Sequence, residues 1–111
     1  MRQYVAGDVL LMAFPFSSAG VKRRPALVLA DTGDNDVLVA RITSSQAQTP
    51  YDAILRNWQS AGLLSPSVVR ADKLATLEKK LVERRLGSLT QDDISFVAAA
   101  IRTVFTDWMQ S

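Results

Sequence analysis

Residues 7–31 read GDVLLMAFPFSSAGVKRRPALVLAD, and the fold turns on how this stretch is divided. Two apolar runs, Val9–Phe14 and Ala26–Ala30, have the length of strands and are too short for stable helices. Pro15 is expected to end the first and Pro25 to open the second, where a missing N–H does least harm. Between them lies a polar loop with Ser17, Ser18 and Gly20, ending in Lys22, Arg23 and Arg24. The first run has almost no polar alternation, so both of its faces must be covered. A hairpin that holds three cations at the entrance of a strand is suited to bind an anion such as phosphate. An ordinary basic loop is the simpler reading of the same residues.

Further strands follow at short intervals. Thr32–Asp36 is dense in turn formers and closes a second hairpin onto Val37–Ile42. Tyr51–Leu55, Ser67–Arg70 and Leu74–Leu77 are short strand candidates, and Leu81–Leu86 suits an edge strand or one helical turn. Short strands separated by turn signals predict a small antiparallel barrel. The end of the chain is different. Thr90 is placed as an N-cap with Asp92 and Asp93 in the first turn. Ile94, Val97, Ala98, Ile101, Val104, Phe105 and Trp108 then fall on one helical stripe, which predicts a helix covering one face of the barrel with Trp108 in the core. Trp58 is open between core and surface.

Composition bounds the chemistry. The 111 residues predict a single domain, 1–111, with no internal repeat or linker. No apolar run approaches the ~18–20 residues of a membrane span. Asp8 interrupts the only leader-like segment, so export is not expected. There is no cysteine and no histidine, which removes thiolate nucleophiles, disulfides and the commonest metal ligand and neutral-pH base. No metal site and no cofactor are expected. The formal charge is only +2, but the cations are grouped: Lys22–Arg24, Arg70 with Lys73, and Lys79–Lys80 with Arg84–Arg85. Three such groups point to a polyanion partner or to ordinary solvation.

Two more places carry possible chemistry. Thr43, Ser44 and Ser45 close the third strand, where hydroxyls can bond a phosphoryl oxygen or their own backbone. In Val68-Val69-Arg70-Ala71-Asp72 the acid and the cation are two residues apart. A strand running through Asp72 puts both on one face, either as an acid/base pair or as a simple ion pair.

Taken in order, Gly7-Asp8-Val9, Arg24-Pro25-Ala26-Leu27-Val28-Leu29, Ile42-Thr43-Ser44 and Ser67–Leu77 resemble the PemK/MazF-type (Kid-like) toxins of bacterial toxin–antitoxin systems. The resemblance spans nearly the whole chain. It implies a mainly β fold with α: an SH3-like antiparallel β-barrel of the CcdB/PemK/MazF type with a C-terminal amphipathic helix. It also implies a homodimer in the bacterial cytoplasm, with a cognate antitoxin as partner. The implied activity is metal-independent cleavage of single-stranded RNA at short sequences, by 2′-hydroxyl attack. Carried over by position, the catalytic residues are Arg24, Thr43, Arg70 and Asp72; Lys22, Arg23, Ser44, Ser45 and Lys73 are assigned to RNA binding. The chain departs from the family in its first loop, where Val21 stands at or near a histidine of some members. The alternatives are a CcdB-like toxin that binds gyrase without cutting RNA, and an inactive RNA-binding barrel.

Overall fold

A computed structural model of the chain describes residues 1–16 and 20–110. Its strands are β1 (Asp8–Phe16), β2 (Gly20–Ala30), β3 (Asp36–Thr43), β4 (Asp52–Ile54), β5 (Val68–Glu78) and β6 (Val82–Ser88). A single 3-10 turn at Lys79–Leu81 joins β5 to β6, and helices α1 (Gln91–Val104) and α2 (Thr106–Met109) close the chain. All pairings are antiparallel in one six-stranded sheet of order β4-β5-β3-β2-β1-β6. β4 and β6 are its two edges and share no ladder, so "barrel" describes the curl of the sheet rather than a hydrogen-bonded closure.

Both faces of the sheet are apolar, for the reason seen in the first strand. Val9, Leu27, Ala40, Ile42 and Val69 point to one face, where Leu89, Val97 and Ala100 cover them; Trp58 packs against the same cluster. Leu10, Met12, Ala26, Val28, Val37 and Val39 point to the other. Among the described residues, neither α1 nor α2 packs on this second cluster. It is buried because the far half of β5 and the turn into β6 fold back, bringing Ala75, Leu77, Leu81 and Val82 onto it.

The first hairpin is longer than its apolar runs. β1 continues through Pro15, and β2 begins at Gly20, whose φ of +74° suits a tight turn. Lys22, Arg23 and Arg24 are therefore strand residues, paired with Phe14, Ala13 and Met12, and not part of a loop. Ser17 and Ser18 lie outside the described residues. Ser67–Arg70 and Leu74–Leu77 are likewise parts of one strand, β5.

Helix α1 starts as its sequence requires. Thr90 Oγ1 accepts from the Asp93 N–H at 3.4 Å. The Asp93 carboxylate is fully buried and accepts from the backbone N–H groups of Arg56 (2.9 Å) and Asn57 (2.9 Å), tying the 57–67 connection to the helix. That connection presses on β6 at Gly62, where a Cβ would stand 2.2 Å from the Leu86 carbonyl oxygen. The helical stripe runs out before Trp108. α1 stops at Val104, α2 starts a new phase, and Trp108 is 83% exposed, against the expectation of a core position.

Candidate active site

β2 and β3 share a ladder only from Ala26–Arg41 inward. Beyond that rung β2 stays with β1, β3 stays with β5, and the two strands leave space between them. Two hollows open there, and Arg24 and Pro25 line both.

The first hollow, about 390 Å³, is lined by Arg23, Arg24 and Arg84, by the hydroxyl residues Thr43, Ser44, Ser65 and Ser67, and by apolar side chains including Leu11, Ile42, Leu63, Leu64 and Leu86, with no carboxylate among these lining residues. Thr43 reaches it from the end of β3. Its Oγ1 accepts from the Ser45 N–H at 3.2 Å, which leaves the hydroxyl proton free to be donated to an anion. Arg23 also pairs with Glu83 at 2.6 Å, and this neighbour holds its pKa above the ordinary guanidinium value.

The second hollow, about 340 Å³, contains the only carboxylate that lines either one among the described residues. Its lining is Phe14, Arg24, Pro25, Val39, Arg41, Asp72, Lys73, Leu74 and Ala75. A wide bulge in β5 brings Asp72 there. Ala40 pairs with Leu74 but the next residue, Arg41, pairs with Arg70, so Ala71, Asp72 and Lys73 have no partner on β3. Asp72 and Lys73 lie 3.7 Å apart at the rim.

The same bulge separates Arg70 from Asp72, which the sequence placed side by side. Arg70 lies on a regular rung opposite Asp52, with its Nε 3.7 Å from Asp52 Oδ1, and it lines neither hollow. Burial pushes the Asp52 carboxyl up, but hydrogen bonds from the Gln48 and Thr49 N–H groups and the charge of Arg70 outweigh it and lower the pKa.

Of the residues named from sequence, the structure gathers Arg23, Arg24, Thr43 and Ser44 in one hollow, with Asp72 and Lys73 across Arg24 in the other. Lys22 and Ser45 are exposed and line neither. Arg41 escapes the sequence reading, and Arg84 enters it only among the grouped cations, without a place in the site. Arg41 stands between the buried Ala40 and Ile42, and that break in an apolar strand was its signal. Arg84 alternates with Arg85, which turns to Asp8 at 3.0 Å instead. Among the described residues, no group of three or more His, Cys, Asp or Glu side chains is placed to hold a metal.

Residues 6–105 match the family described as PemK-like, MazF-like toxin of type II toxin–antitoxin system. The chain belongs to this family. A search of curated proteins gives no match. Among solved structures, an endoribonuclease from a mycobacterial species has a TM-score of 0.75 at 20% identity, over 96% of this chain and 94% of that one. The Mycobacterium tuberculosis toxin MazF-mt6 has a TM-score of 0.74 at 24% identity, over 89% and 96%. The MazE-MazF structure (Form-II) from Deinococcus radiodurans has a TM-score of 0.74 at 23% identity, over 94% and 98%. The PemK/MazF fold thus accounts for nearly the whole chain, α1 included.

Proposed function

We propose that this PemK/MazF toxin is an endoribonuclease that cuts single-stranded RNA by attack of a ribose 2′-hydroxyl on the adjacent phosphorus. The observation that carries the reading is the shared arginine. Arg24 links a hollow of arginines and hydroxyls, suited to phosphate, to a hollow that holds a carboxylate. Structural neighbours described as endoribonucleases and MazF toxins support it.

Each step uses a group whose chemistry fits. Asp72 takes the proton of the 2′-hydroxyl. The 2′-oxygen bonds to phosphorus, the bond from phosphorus to the 5′-oxygen breaks, and a 2′,3′-cyclic phosphate remains. Water or a neighbouring hydroxyl returns a proton to the leaving 5′-oxygen; an arginine cannot, with a pKa above about 12. Arg24, with Arg23 and Arg84 around it, meets the charge that grows on the phosphoryl oxygens, and fixed donors of this kind are worth most when preorganised. Thr43 donates its hydroxyl proton to one of those oxygens. Ser44 and Lys73 extend the RNA-binding surface, with Lys22 and Ser45 outside the hollows. Arg70, held on Asp52, has no step in this scheme. No step needs a metal or cofactor.

The partner set follows the same reading. A solved structure of an endoribonuclease from a mycobacterial species is in complex with its cognate antitoxin, and a cognate antitoxin for this chain would cover the cationic surface around Arg24. The toxin acts as a homodimer in the bacterial cytoplasm.

The test is a long single-stranded RNA incubated with pure protein in EDTA. Discrete cuts are expected, with Arg24→Ala and Asp72→Asn each slowing cleavage by orders of magnitude while circular dichroism is unchanged. Wild-type rates in both folded variants would remove this site. A strict metal requirement would remove the mechanism. A gel shift without cuts would mark an RNA-binding barrel, and neither cuts nor shift would leave the gyrase-type toxin.

A further inference from the structure

The two hollows differ in a way that phosphate binding does not need. The one with Thr43 sets three arginines and four hydroxyls among aliphatic side chains such as Leu11, Ile42 and Leu63, with no aromatic ring among its lining residues. The one with Asp72 is walled by Phe14, Pro25, Val39 and Leu74, and its polar groups stand among these apolar walls. Apolar walls with a few placed donors suit a flat ring with a polar edge, and in RNA that ring is a nucleobase. At about 340 Å³ the space is large enough for one base.

From this and from the proposed cleavage chemistry, on which it rests, we infer that the Arg41 hollow is the base-reading subsite for the nucleotide 5′ of the cut, and that it selects guanine. The order of groups sets the register. A base between Phe14 and Leu74 brings its own ribose toward Asp72 at the rim, and its 3′-phosphate toward Arg24, which the hollows share. The next nucleotide then enters the hollow of Thr43. The 2′-hydroxyl beside Asp72 therefore belongs to the nucleotide whose base is read.

The choice of guanine follows from which groups are left to read the base. Asp72 is the one acceptor side chain of the hollow, and the 2′-hydroxyl uses it. What remains on the rim are donors. Arg41 makes no ion pair or side-chain hydrogen bond among the described residues. Its cross-strand neighbour Arg70 is drawn to Asp52, so the Arg41 fork is neither neutralised nor shared. A guanidinium fork matches two adjacent acceptors far from the sugar, and guanine offers them as O6 and N7. Adenine sets an amine donor beside N7. Cytosine turns an amine outward, and uracil offers a single outer carbonyl.

The experiment reads base preference separately from cleavage. Binding of guanosine 3′-monophosphate is measured by calorimetry against the adenosine, cytidine and uridine 3′-monophosphates, for wild type and Arg41→Ala. Arg41 is exposed, so the variant should fold, and circular dichroism checks it. Wild type is expected to favour the guanine nucleotide by about tenfold or more, and Arg41→Ala to bring all four within about twofold. Arg41→Gln should move the preference toward adenine, since an amide pairs with its N6 and N7. Equal binding by wild type, no binding at millimolar nucleotide, or a guanine preference that survives in Arg41→Ala would each overturn the assignment. Cuts in a mixed-sequence RNA should fall 3′ of guanines, and cuts indifferent to that base would overturn it too. A guanine preference that depends on Arg41, in a protein that cuts no RNA, would uphold the subsite and remove the ribonuclease reading alone.

Discussion

The hollow around Thr43 makes a quantitative electrostatic prediction. Three arginines line it, and one of them, Arg23, is already met by Glu83 at 2.6 Å. On the proposed function, Arg24 and Arg84 each neutralise one RNA phosphate in this hollow and release its counterions. For single strands each such contact contributes roughly 0.7 to the slope of log affinity against log salt, so the slope should be close to −1.4. Raising monovalent salt fourfold should weaken binding about sevenfold by that slope. Arg84→Ala should halve the slope to about −0.7 and weaken binding most at low salt, where the lost contact counts for more. The assay is fluorescence anisotropy with a short oligonucleotide carrying 2′-fluoro sugars, which cannot be cut. Removing Glu83 by Glu83→Gln should work in the opposite direction and steepen the slope, because it returns Arg23 to the RNA. If Arg84→Ala leaves the slope at its wild-type value, Arg84 does not face bound phosphate, and the hollow is not where the backbone runs.

Three further outcomes concern the scaffold. Asp93→Ala strips two part-buried backbone N–H groups of a fully buried charged acceptor, a loss of about 3 kcal/mol, and should lower the thermal midpoint by ~10–20 °C in calorimetry. Asp31 is held well below the usual carboxylate range, first by its bond to Lys79 Nζ at 2.8 Å and also by the N–H groups of Gln3, Tyr4 and Gly33. Its depressed value means a contribution that is complete above the unfolded carboxylate pKa of about 3.9 and is lost as pH falls below it. Urea midpoints between about pH 7 and pH 2 should show this acid limb, and Lys79→Met should flatten it. Gly62→Ala combines a φ of +83° with a Cβ 2.2 Å from the Leu86 carbonyl oxygen, and should cost more than about 2 kcal/mol in denaturant titration.

What the sequence made legible is what short-range chemistry encodes. The start of α1 is written in Thr90 and Asp93, three residues apart, and the apolar runs name the strands they occupy. The first hairpin shows where local reading stops. Pro15 and Pro25 look like terminators, yet both sit inside strands, opposite Val21 and Leu11. They are tolerated because the hairpin is two-stranded there: β6 reaches only to Met12, and β3 begins to pair only at Ala26. A proline beside an open flank forfeits no rung on that side. Trp108 fails for a related reason, since a periodicity continues on paper across a break in the helix. The bulge at Ala71–Lys73 has no local signature at all. It arises from the register of two strands about 30 residues apart in sequence, and together with the β4–β5 rung that sets Asp52 opposite Arg70 it separates Arg70 from Asp72.

That register also explains how a chain with a net charge of only +2 presents a strongly cationic surface. The acids are spent elsewhere. Asp8 holds Arg85, Asp31 holds Lys79, Glu78 holds Lys80 and Asp52 holds Arg70, all away from the two hollows. Glu83 tempers Arg23 at the edge of one hollow without lining it. Arg24, Arg41, Lys73 and Arg84 are thus concentrated around the opening between β2 and β3, with Asp72 as the single acid among them. Asp72 is met only at the rim, by Lys73 at 3.7 Å, a long and exposed pairing of small structural worth. On the proposed function, the phosphate of the substrate occupies the arginines and leaves Asp72 facing the ribose. The ion pairs that build the fold are in this sense what isolates the chemistry.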